Sequence, residues 1–243
     1  MKQANSPDRA ATASRPDAAT FIRDNMRLAP VPGLPEILLY TAHPASWLGR
    51  LTEPDAASDQ DAATDECPSD EDDEPQPPYW AYVWAGGAVL ARHILDHPEI
   101  LTDRRVLDLG AGGGLVGIAA AKAGARDVTA SETDRNGIVA IDLNAAANGV
   151  AISTRNDDLT AGSPPGVDLV LVGDLFYGPE LAEQVIAFLD RCLERGIEVL
   201  VGDPGRAYLP RTRLRLLAEH AVVDFGEATP SRKSCVFAFE RER

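Results

Sequence analysis

A glycine-rich loop directly after an apolar strand carries the clearest chemical signal in the sequence. The apolar segment 106–109 runs into Gly110, Gly112 and Gly114, one glycine at every second position. Glycines let a ligand approach the backbone without meeting a Cβ, and they permit left-handed dihedral angles. Helical periodicity begins at Leu115, so free N–H groups at the helix start point toward that ligand. The loop is typical of an open α/β sheet that holds a nucleotide-like ligand at the carboxyl ends of its strands.

The charge beside the loop separates two ligand classes. Gly112-x-Gly114-x-x-Gly117 matches the dinucleotide fingerprint, but that pattern alone is a weak signal. Asp108 lies two residues before Gly110, and a carboxylate beside a pyrophosphate would be repelled. The arrangement resembles motif I of the class I S-adenosylmethionine (AdoMet) methyltransferases, whose cofactor carries an ammonium and a sulfonium. We therefore expect AdoMet, contacted by Asp108, Gly110, Gly112 and Gly114, with NAD as the alternative.

Carboxylates end the next two predicted strands. Glu132 closes the second strand, 24 residues after the acidic residue of the loop, where it would accept both ribose hydroxyls of a nucleoside. Its alternative role is as a partner in the cap of the following helix, for which Asp134 is the better candidate. Asp157 and Asp158 end the third strand, where an acceptor suits the adenine amino group. We favour Asp158 because Leu159 can pack on the base, and Asp157 stays open.

Asp174 and Tyr177 follow the fourth predicted strand with the spacing Asp-x-x-Tyr. Asp174 lands at the carboxyl end of that strand, next to where a sulfonium methyl group would point. Its carboxylate would attract an ammonium, and the face of the Tyr177 ring would stabilise a cation by cation–π attraction. We assign both as catalytic residues that serve an acceptor amine rather than the cofactor. The alternative is that Asp174 caps the next helix, although Pro179 lies nearer to its start.

Four segments together resemble one methyltransferase family. They are Arg-Leu-Ala-Pro-Val-Pro at 27–32, Trp-Ala-Tyr-Val-Trp-Ala-Gly-Gly at 80–87, Gly-Asp-Leu-Phe-Tyr at 173–177 and Gly-Asp-Pro-Gly-Arg-Ala-Tyr-Leu-Pro at 202–210. Asp-x-x-Tyr resembles the post-strand motif of the family-16 protein methyltransferases. The four segments resemble the bacterial branch of the electron transfer flavoprotein β-subunit lysine methyltransferases, over roughly residues 21–240. The resemblance implies AdoMet-dependent N-methylation of a protein lysine, with electron transfer flavoprotein β subunit as the expected partner.

The resemblance also bears on the aromatic and charged residues outside these motifs. It implies that Trp84 contacts AdoMet, whereas ordinary packing is the alternative for Trp84 and for Trp80. Asp203 and Arg206 would either orient the substrate or form a local ion pair in the Asp-Pro-Gly turn. Two other functions stay open. In the first, the chain methylates another protein, such as a ribosomal protein. In the second, it is a non-catalytic module that binds a partner through its acidic segment.

Alternating strands and helices must position these residues. Strands are expected at 36–40, 105–109, 127–131, 151–155, 167–172, 197–201, 221–225 and 235–239, and helices at 87–96, 115–123, 134–148, 179–195 and 210–219. The last two strands lack a helix between them and should form a hairpin. The pattern predicts an α/β fold with a mainly parallel sheet. The resemblance implies a seven-stranded, Rossmann-like class I sheet with strand order 3-2-1-4-5-7-6 and the last strand antiparallel.

The net charge of −15 is concentrated in one segment. Eleven acids and no Lys or Arg lie between Glu53 and Glu74, and without them the remaining 27 acids and 23 bases leave a charge of −4. This balance argues against a nucleic-acid partner, which needs a basic surface. We expect a disordered tail at 1–20 and a single methyltransferase domain at 21–243, with a disordered acidic insertion at 53–78.

Cysteine and histidine spacing excludes the common metal and disulfide patterns. The three cysteines are scattered, without Cys-x-x-Cys, which is typical of reduced cytoplasmic thiols. The four histidines do not cluster with them at metal-ligand spacing, so we expect no metal. No run of 18 apolar residues exists, so we expect no membrane span. The expected protein is a cytoplasmic monomer.

Overall fold

Strands and helices alternate along most of the chain. The computed structural model describes residues 17–52, 77–225 and 230–242. The helices are α1 (Ala18–Asn25), α2 (Gly49–Thr52), α3 (Ala85–Asp96), α4 (Leu115–Lys122), α5 (Arg135–Ala147) and α6 (Pro179–Glu194). The strands are β1 (Arg27–Val31), β2 (Leu34–Thr41), β3 (Arg105–Leu109), β4 (Asp127–Ser131), β5 (Ser153–Arg155), β6 (Leu169–Gly173), β7 (Glu198–Asp203), β8 (Leu214–Val222) and β9 (Arg232–Phe239).

Seven of these strands form one sheet in the order β5-β4-β3-β6-β7-β9-β8. The neighbours from β5 to β7 are parallel, and β9 is antiparallel to both β7 and β8. Counted along the chain within this sheet, the order is 3-2-1-4-5-7-6. The predicted class I methyltransferase sheet with a reversed last strand is therefore confirmed.

The central strands bury both of their faces, as their unbroken apolar sequences require. Along β6, Leu169 and Leu171 pack with α3 and α4, whereas Val170 and Val172 pack with α6 through side chains such as Phe188. Successive side chains of a strand point to opposite faces, which explains the alternation. The helices thus cover both faces of the sheet below the loops that follow its strands.

A separate β1–β2 hairpin is tied to the glycine loop through α5. The side chain of Asn144 accepts a hydrogen bond from Tyr40 N at 2.8 Å and donates one to Gly113 O at 2.8 Å. Asn148 binds both backbone groups of Leu38 in the same way, at 3.0 and 2.6 Å. These two asparagines satisfy backbone groups of β2 that no neighbouring strand pairs within the described chain. The strand expected at 36–40 is therefore real, but it belongs to this hairpin and not to the main sheet.

The helix predicted at 210–219 is wrong. Only Arg211–Arg213 form a 3₁₀ turn, and the following residues, Leu214 to Val222, form the edge strand β8. Leucine, arginine, alanine and glutamate favour helix, but the backbone of β9 offers a ladder of partners from Arg232 to Phe239. Tertiary pairing overrides local preference at this edge of the sheet.

The expected tail at 1–20 differs at its last residues. Asp17 caps α1 by accepting a hydrogen bond from Thr20 N at 3.3 Å, and the helix begins at Ala18. Residues 1–16 and 53–76 lie outside the described chain, so the rest of that tail and most of the acidic insertion stay predictions. Within the described ranges, no helix is long and apolar enough to cross a bilayer.

Candidate active site

A cleft of about 510 Å³ opens at the carboxyl ends of the parallel strands. The loops after β3, β4, β5, β6 and β7 all contribute to its walls. Of the predicted site residues it is lined by Trp84, Gly110, Gly112, Glu132, Asp157, Asp158, Asp174 and Tyr177. The fold thus brings most of the site predicted from four separate sequence segments to one place.

The predicted residues Asp108 and Gly114 support the glycine loop from behind the cleft. Asp108 is fully buried and accepts a hydrogen bond from Gly117 N at 2.7 Å, so it holds the first turn of α4 against β3. It reaches a smaller cavity of about 60 Å³ that shares Gly110 and Gly112 with the cleft. Burial raises the pKa of its carboxyl to about 7. Gly114 is the N-cap of α4 with φ +84° and lines neither cavity.

Gly110 and Gly112 form the floor of the cleft with left-handed backbone angles of +65° and +55°. A Cβ on Gly110 would lie 2.6 Å from the side chain of Leu175, in the loop after β6. A side chain at this position would therefore be strained in its backbone and would collide with the neighbouring loop. Glycine at 110 keeps the floor low enough for a ligand to lie against backbone atoms.

Glu132 joins the glycine loop to the end of β4. Its Oε2 accepts a hydrogen bond from Gly112 N at 2.8 Å, and its Oε1 accepts one from Asp134 N at 3.0 Å. Burial raises the pKa of this carboxyl. Each oxygen keeps a second lone pair for a ligand hydroxyl. The predicted cap is confirmed separately, because Asp134 accepts from Asn136 N at 2.7 Å at the start of α5.

Asp157 and Asp158 both reach the cleft but have different partners. The carboxylate of Asp157 forms an ion pair with Arg155 in β5. Asp158 accepts hydrogen bonds from the backbone N and the hydroxyl of Thr160, at 2.8 and 2.6 Å, both on Oδ1. Within the described residues, Oδ2 of Asp158 has no hydrogen-bond partner, which leaves Asp158 the better placed of the two to accept from an adenine amino group.

Asp174 is a buried carboxylate on a strained backbone. Its φ of +60° lies in the left-handed region, which a residue other than glycine adopts uncommonly and at some cost. Oδ2 accepts a hydrogen bond from Gly87 N at 3.0 Å, at the start of α3, and Oδ1 is held by the guanidinium of Arg206. Burial raises the pKa of Asp174 to about 6, despite the opposing effect of Arg206. The alternative role as a helix cap is wrong, because Gly178 is the N-cap of α6.

Arg206 is the main residue whose side-chain partner the sequence did not predict. A local ion pair with Asp203 was one of two interpretations, but Oδ1 of Asp203 accepts from Gly205 N and Arg206 N at 2.6 and 2.7 Å. The Arg206 side chain instead crosses to Asp174 with its Nε at 2.8 Å from Oδ1. The Asp-Pro-Gly turn was the available signal, because aspartate at such a turn commonly binds its own following N–H groups.

Aromatic rings surround the mouth of the cleft. Tyr79 lies 5.7 Å from Trp84 and 5.9 Å from Tyr177, measured between ring centroids, and all three line the cleft. Tyr177 is half exposed and Phe225 stacks on Trp84 at 5.3 Å. Trp80 does not line the cleft, since it is buried and donates to Asp134 at 2.9 Å. For Trp80, the packing interpretation is the one the structure supports.

The chain is similar in sequence to known lysine methyltransferases. Residues 79–208, more than half of the chain, match the sequence model of a family described as lysine methyltransferase. The chain is 40% identical over 140 residues to the electron transfer flavoprotein beta subunit lysine methyltransferase of Danio rerio, covering 57% of this chain and 54% of that protein. It is 37% identical over 131 residues to the Homo sapiens protein of the same name, covering 53% and 50%.

The chain therefore spans about half the length of these relatives. Among solved structures, ribosomal protein L11 methylase from Lactobacillus delbrueckii subsp. bulgaricus aligns with a TM-score of 0.48 at 20% identity, covering 74% of this chain and 92% of that one. The matched segment 79–208 contains the glycine loop, Glu132, Asp174 and Arg206. The chain belongs to the lysine methyltransferase family.

Proposed function

We propose that this chain is an AdoMet-dependent protein-lysine N-methyltransferase that acts on electron transfer flavoprotein β subunit. The observation that carries the proposal is one cleft in which Asp174 and Tyr177 face Glu132 and the glycine loop, in a chain of the lysine methyltransferase family. The names of the relatives supply the protein substrate. We also infer a single methyltransferase domain at 21–243, because α1 and the β1–β2 hairpin both pack on α5.

The charge of the cleft fits AdoMet. Its charged lining residues are the four carboxylates of Glu132, Asp157, Asp158 and Asp174 and one guanidinium, Arg206. A second cation, Arg155, pairs with Asp157 from outside the lining. The excess of acids favours a ligand with an ammonium and a sulfonium and disfavours a pyrophosphate. The dinucleotide alternative is therefore the weaker one.

The residues that would hold the cofactor are distributed along three strand ends. Glu132 would accept the ribose hydroxyls, Asp158 would accept the adenine amino group, and Gly110 and Gly112 would let the ligand lie on the backbone. Trp84 would contact it from the start of α3. When bound, AdoMet supplies an electrophilic methyl group, so no covalent enzyme intermediate is required.

The chain's own task is to prepare the acceptor. Lysine is a nucleophile only as the neutral amine, whereas its ordinary pKa is about 10.4. The buried carboxylate of Asp174 would accept an N–H of the amine and direct its lone pair, while the face of the Tyr177 ring would stabilise the cation that forms as the methyl group is transferred. Alignment of this kind supplies roughly 7–11 kcal/mol in favourable cases.

Two measurements test the proposal. Calorimetry with AdoMet tests cofactor binding, and transfer of a labelled methyl group to purified electron transfer flavoprotein β subunit, located by mass spectrometry, tests the substrate. Label on a lysine of that protein supports the proposal. Label only on another protein of a cell extract would show that the substrate is wrong, and AdoMet binding without transfer to any protein would favour the non-catalytic module.

A further inference from the structure

An arginine of the chain, Arg206, already forms an ion pair with Asp174, the carboxylate that we propose binds the acceptor amine. Arg206, beyond the end of β7, contacts Oδ1 of Asp174 through both Nε, at 2.8 Å, and Nη2. Gly87 N occupies the other oxygen at 3.0 Å. Asp174 and Arg206 are 32 residues apart, and the parallel strands β6 and β7 bring them together. The carboxylate at the centre of the cleft is thus electrically neutralised before any substrate arrives.

Two further contacts hold Arg206 in place beside Asp174. Asp203 accepts hydrogen bonds from its backbone N at 2.7 Å, and its guanidinium lies over the Trp84 ring at 5.8 Å from the centroid. The Arg206 side chain is 24% exposed and that of Asp174 is 10% exposed. Because little water screens the pair, the charge of one group strongly affects protons bound nearby.

This arrangement matters for the protonation of the acceptor. A buried carboxylate alone would stabilise the ammonium of lysine, which is the form that cannot attack a methyl group. A guanidinium on the same carboxylate removes that stabilisation, while the carboxylate oxygens still accept hydrogen bonds. The ionisable groups that face the pair from neighbouring elements are Asp203, Glu132, Tyr79, Tyr177 and, farther along the turn, Arg211. Arg206 is the cation among them that touches Asp174.

We propose that Arg206 is a positioning residue of the transfer reaction: it neutralises and orients Asp174, so that the acceptor lysine binds as the neutral amine. The ammonium releases one proton to solvent water at the open mouth of the cleft as the side chain enters. The inference rests on the proposed function. It also changes the role of Asp174, from a bare anion that attracts an ammonium to an oriented acceptor in a charge-neutral pair.

The test compares the pH dependence of kcat and KM for the protein substrate in R206Q, R206K and the wild type. R206Q should lose at least about tenfold in kcat at pH 7.5 and recover it at higher pH. The part of its profile in which kcat rises with pH should lie about one pH unit or more above that of the wild type. Its KM for the substrate should not rise, because a bare carboxylate holds the ammonium. R206K should keep the wild-type pH dependence, whatever its maximal rate, because it keeps the charge.

Arg23→Gln provides a matched control. Arg23 is an exposed arginine of α1 that does not line the cleft, so its loss changes the net charge equally and should leave the pH profile unmoved. R206M provides a second charge-free variant if R206Q unfolds at assay temperature.

Three outcomes contradict the inference. Equal losses in R206Q and R206K at every pH would show that Arg206 is only structural. A wild-type pH profile in R206Q or R206M would show that its charge is irrelevant. If the wild type itself transfers no methyl group, the proposed function fails and the inference fails with it. If the wild type is active and the pH profiles of the variants are not shifted, the inference fails while the proposed function stands.

Discussion

Gly86 and Gly202 pack with their backbones in direct contact. A Cβ on Gly86 would lie 2.3 Å from the carbonyl oxygen of Gly202 and 2.5 Å from Oδ2 of Asp174. The first turn of α3 therefore lies directly on the end of β7, and this closeness is what brings Gly87 N to within 3.0 Å of Asp174. The pair Gly86–Gly87 thus allows the close packing that positions Asp174 in the cleft.

Gly86→Ala should damage both stability and activity, whereas Gly87→Ala should be tolerated. The Cβ at 86 would collide with backbone atoms that cannot move independently, but a Cβ at 87 would meet only a Val116 methyl carbon at 3.7 Å. Overpacking of this kind typically costs about 1–3 kcal/mol. Thermal unfolding and methyl transfer check the pair, and equal behaviour of the two variants would contradict the packing argument.

Glu132→Ala should weaken AdoMet binding by about 1.5–3 kcal/mol, because it removes the charged hydrogen bonds that we propose to the ribose. The glycine loop also loses the acceptor for Gly112 N, so the loop should loosen in the same variant. Calorimetric titration with AdoMet measures the loss. Glu183→Ala, an exposed glutamate on α6, is the control. If Glu132→Ala binds AdoMet with the wild-type affinity, Glu132 does not belong to the cofactor site.

Asp174→Asn should reduce methyl transfer by at least about a hundredfold while changing AdoMet affinity by under about 1.4 kcal/mol. The amide keeps an acceptor for Gly87 N but leaves Arg206 without its charge partner. Single-turnover transfer and calorimetry on the same preparation separate the two effects. A variant whose only defect is lost AdoMet binding would place Asp174 in the cofactor site instead.

Tyr177→Phe should retain most of the transfer rate, and Tyr177→Leu should lose about tenfold or more. The proposed role needs the ring face toward a cation, an attraction worth about 0.5–2 kcal/mol, and does not need the hydroxyl. Tyr177 is half exposed, so neither change should alter the melting temperature greatly. If the phenylalanine variant were as impaired as the leucine variant, the hydroxyl and not the ring would matter.

Asp108→Asn should flatten the dependence of folding stability on pH. Because the folded pKa of about 7 lies above the ordinary value of 3.8, the folded protein holds this proton over an interval in which the unfolded chain releases it. The contribution of Asp108 to the free energy of unfolding is therefore fully present below about pH 4 and is lost as pH rises through 7. The loss is about 1.4 kcal/mol for each unit of pKa shift.

The free energy of unfolding, measured in urea at pH 5.5 and 8, checks this. The wild type should lose more stability than Asp108→Asn between the two values. The carboxyls of Glu132, Asp174 and Asp203 have pKa values raised by burial and keep a residual slope of the same sign in the variant. An unchanged slope would mean that Asp108 is ionised in the folded protein.

The sequence alone was sufficient to predict an element wherever its residue pattern is compatible with one local structure. The apolar strands and the helices between them predicted a mainly parallel sheet, whereas its strand order came from the resemblance to class I methyltransferases. The residues after each strand predicted most of the cleft, because parallel strands end at one edge. The cap at Asp134 followed from the same local chemistry. Glu132, Asp158, Asp174 and Tyr177, each predicted from the residues after one strand, line that cleft, and their roles stay predictions.

Tertiary structure decided the contacts between segments that are distant in the chain. Strand β8 has a helix-forming sequence and becomes a strand only because β9 pairs with it. Asp108 was expected beside the cofactor, but the packing of α4 on β3 turns it inward to Gly117. Arg206 had two aspartates within reach, and only the register of β6 against β7 assigns it to Asp174. Such choices depend on non-local geometry and burial, which no local pattern specifies.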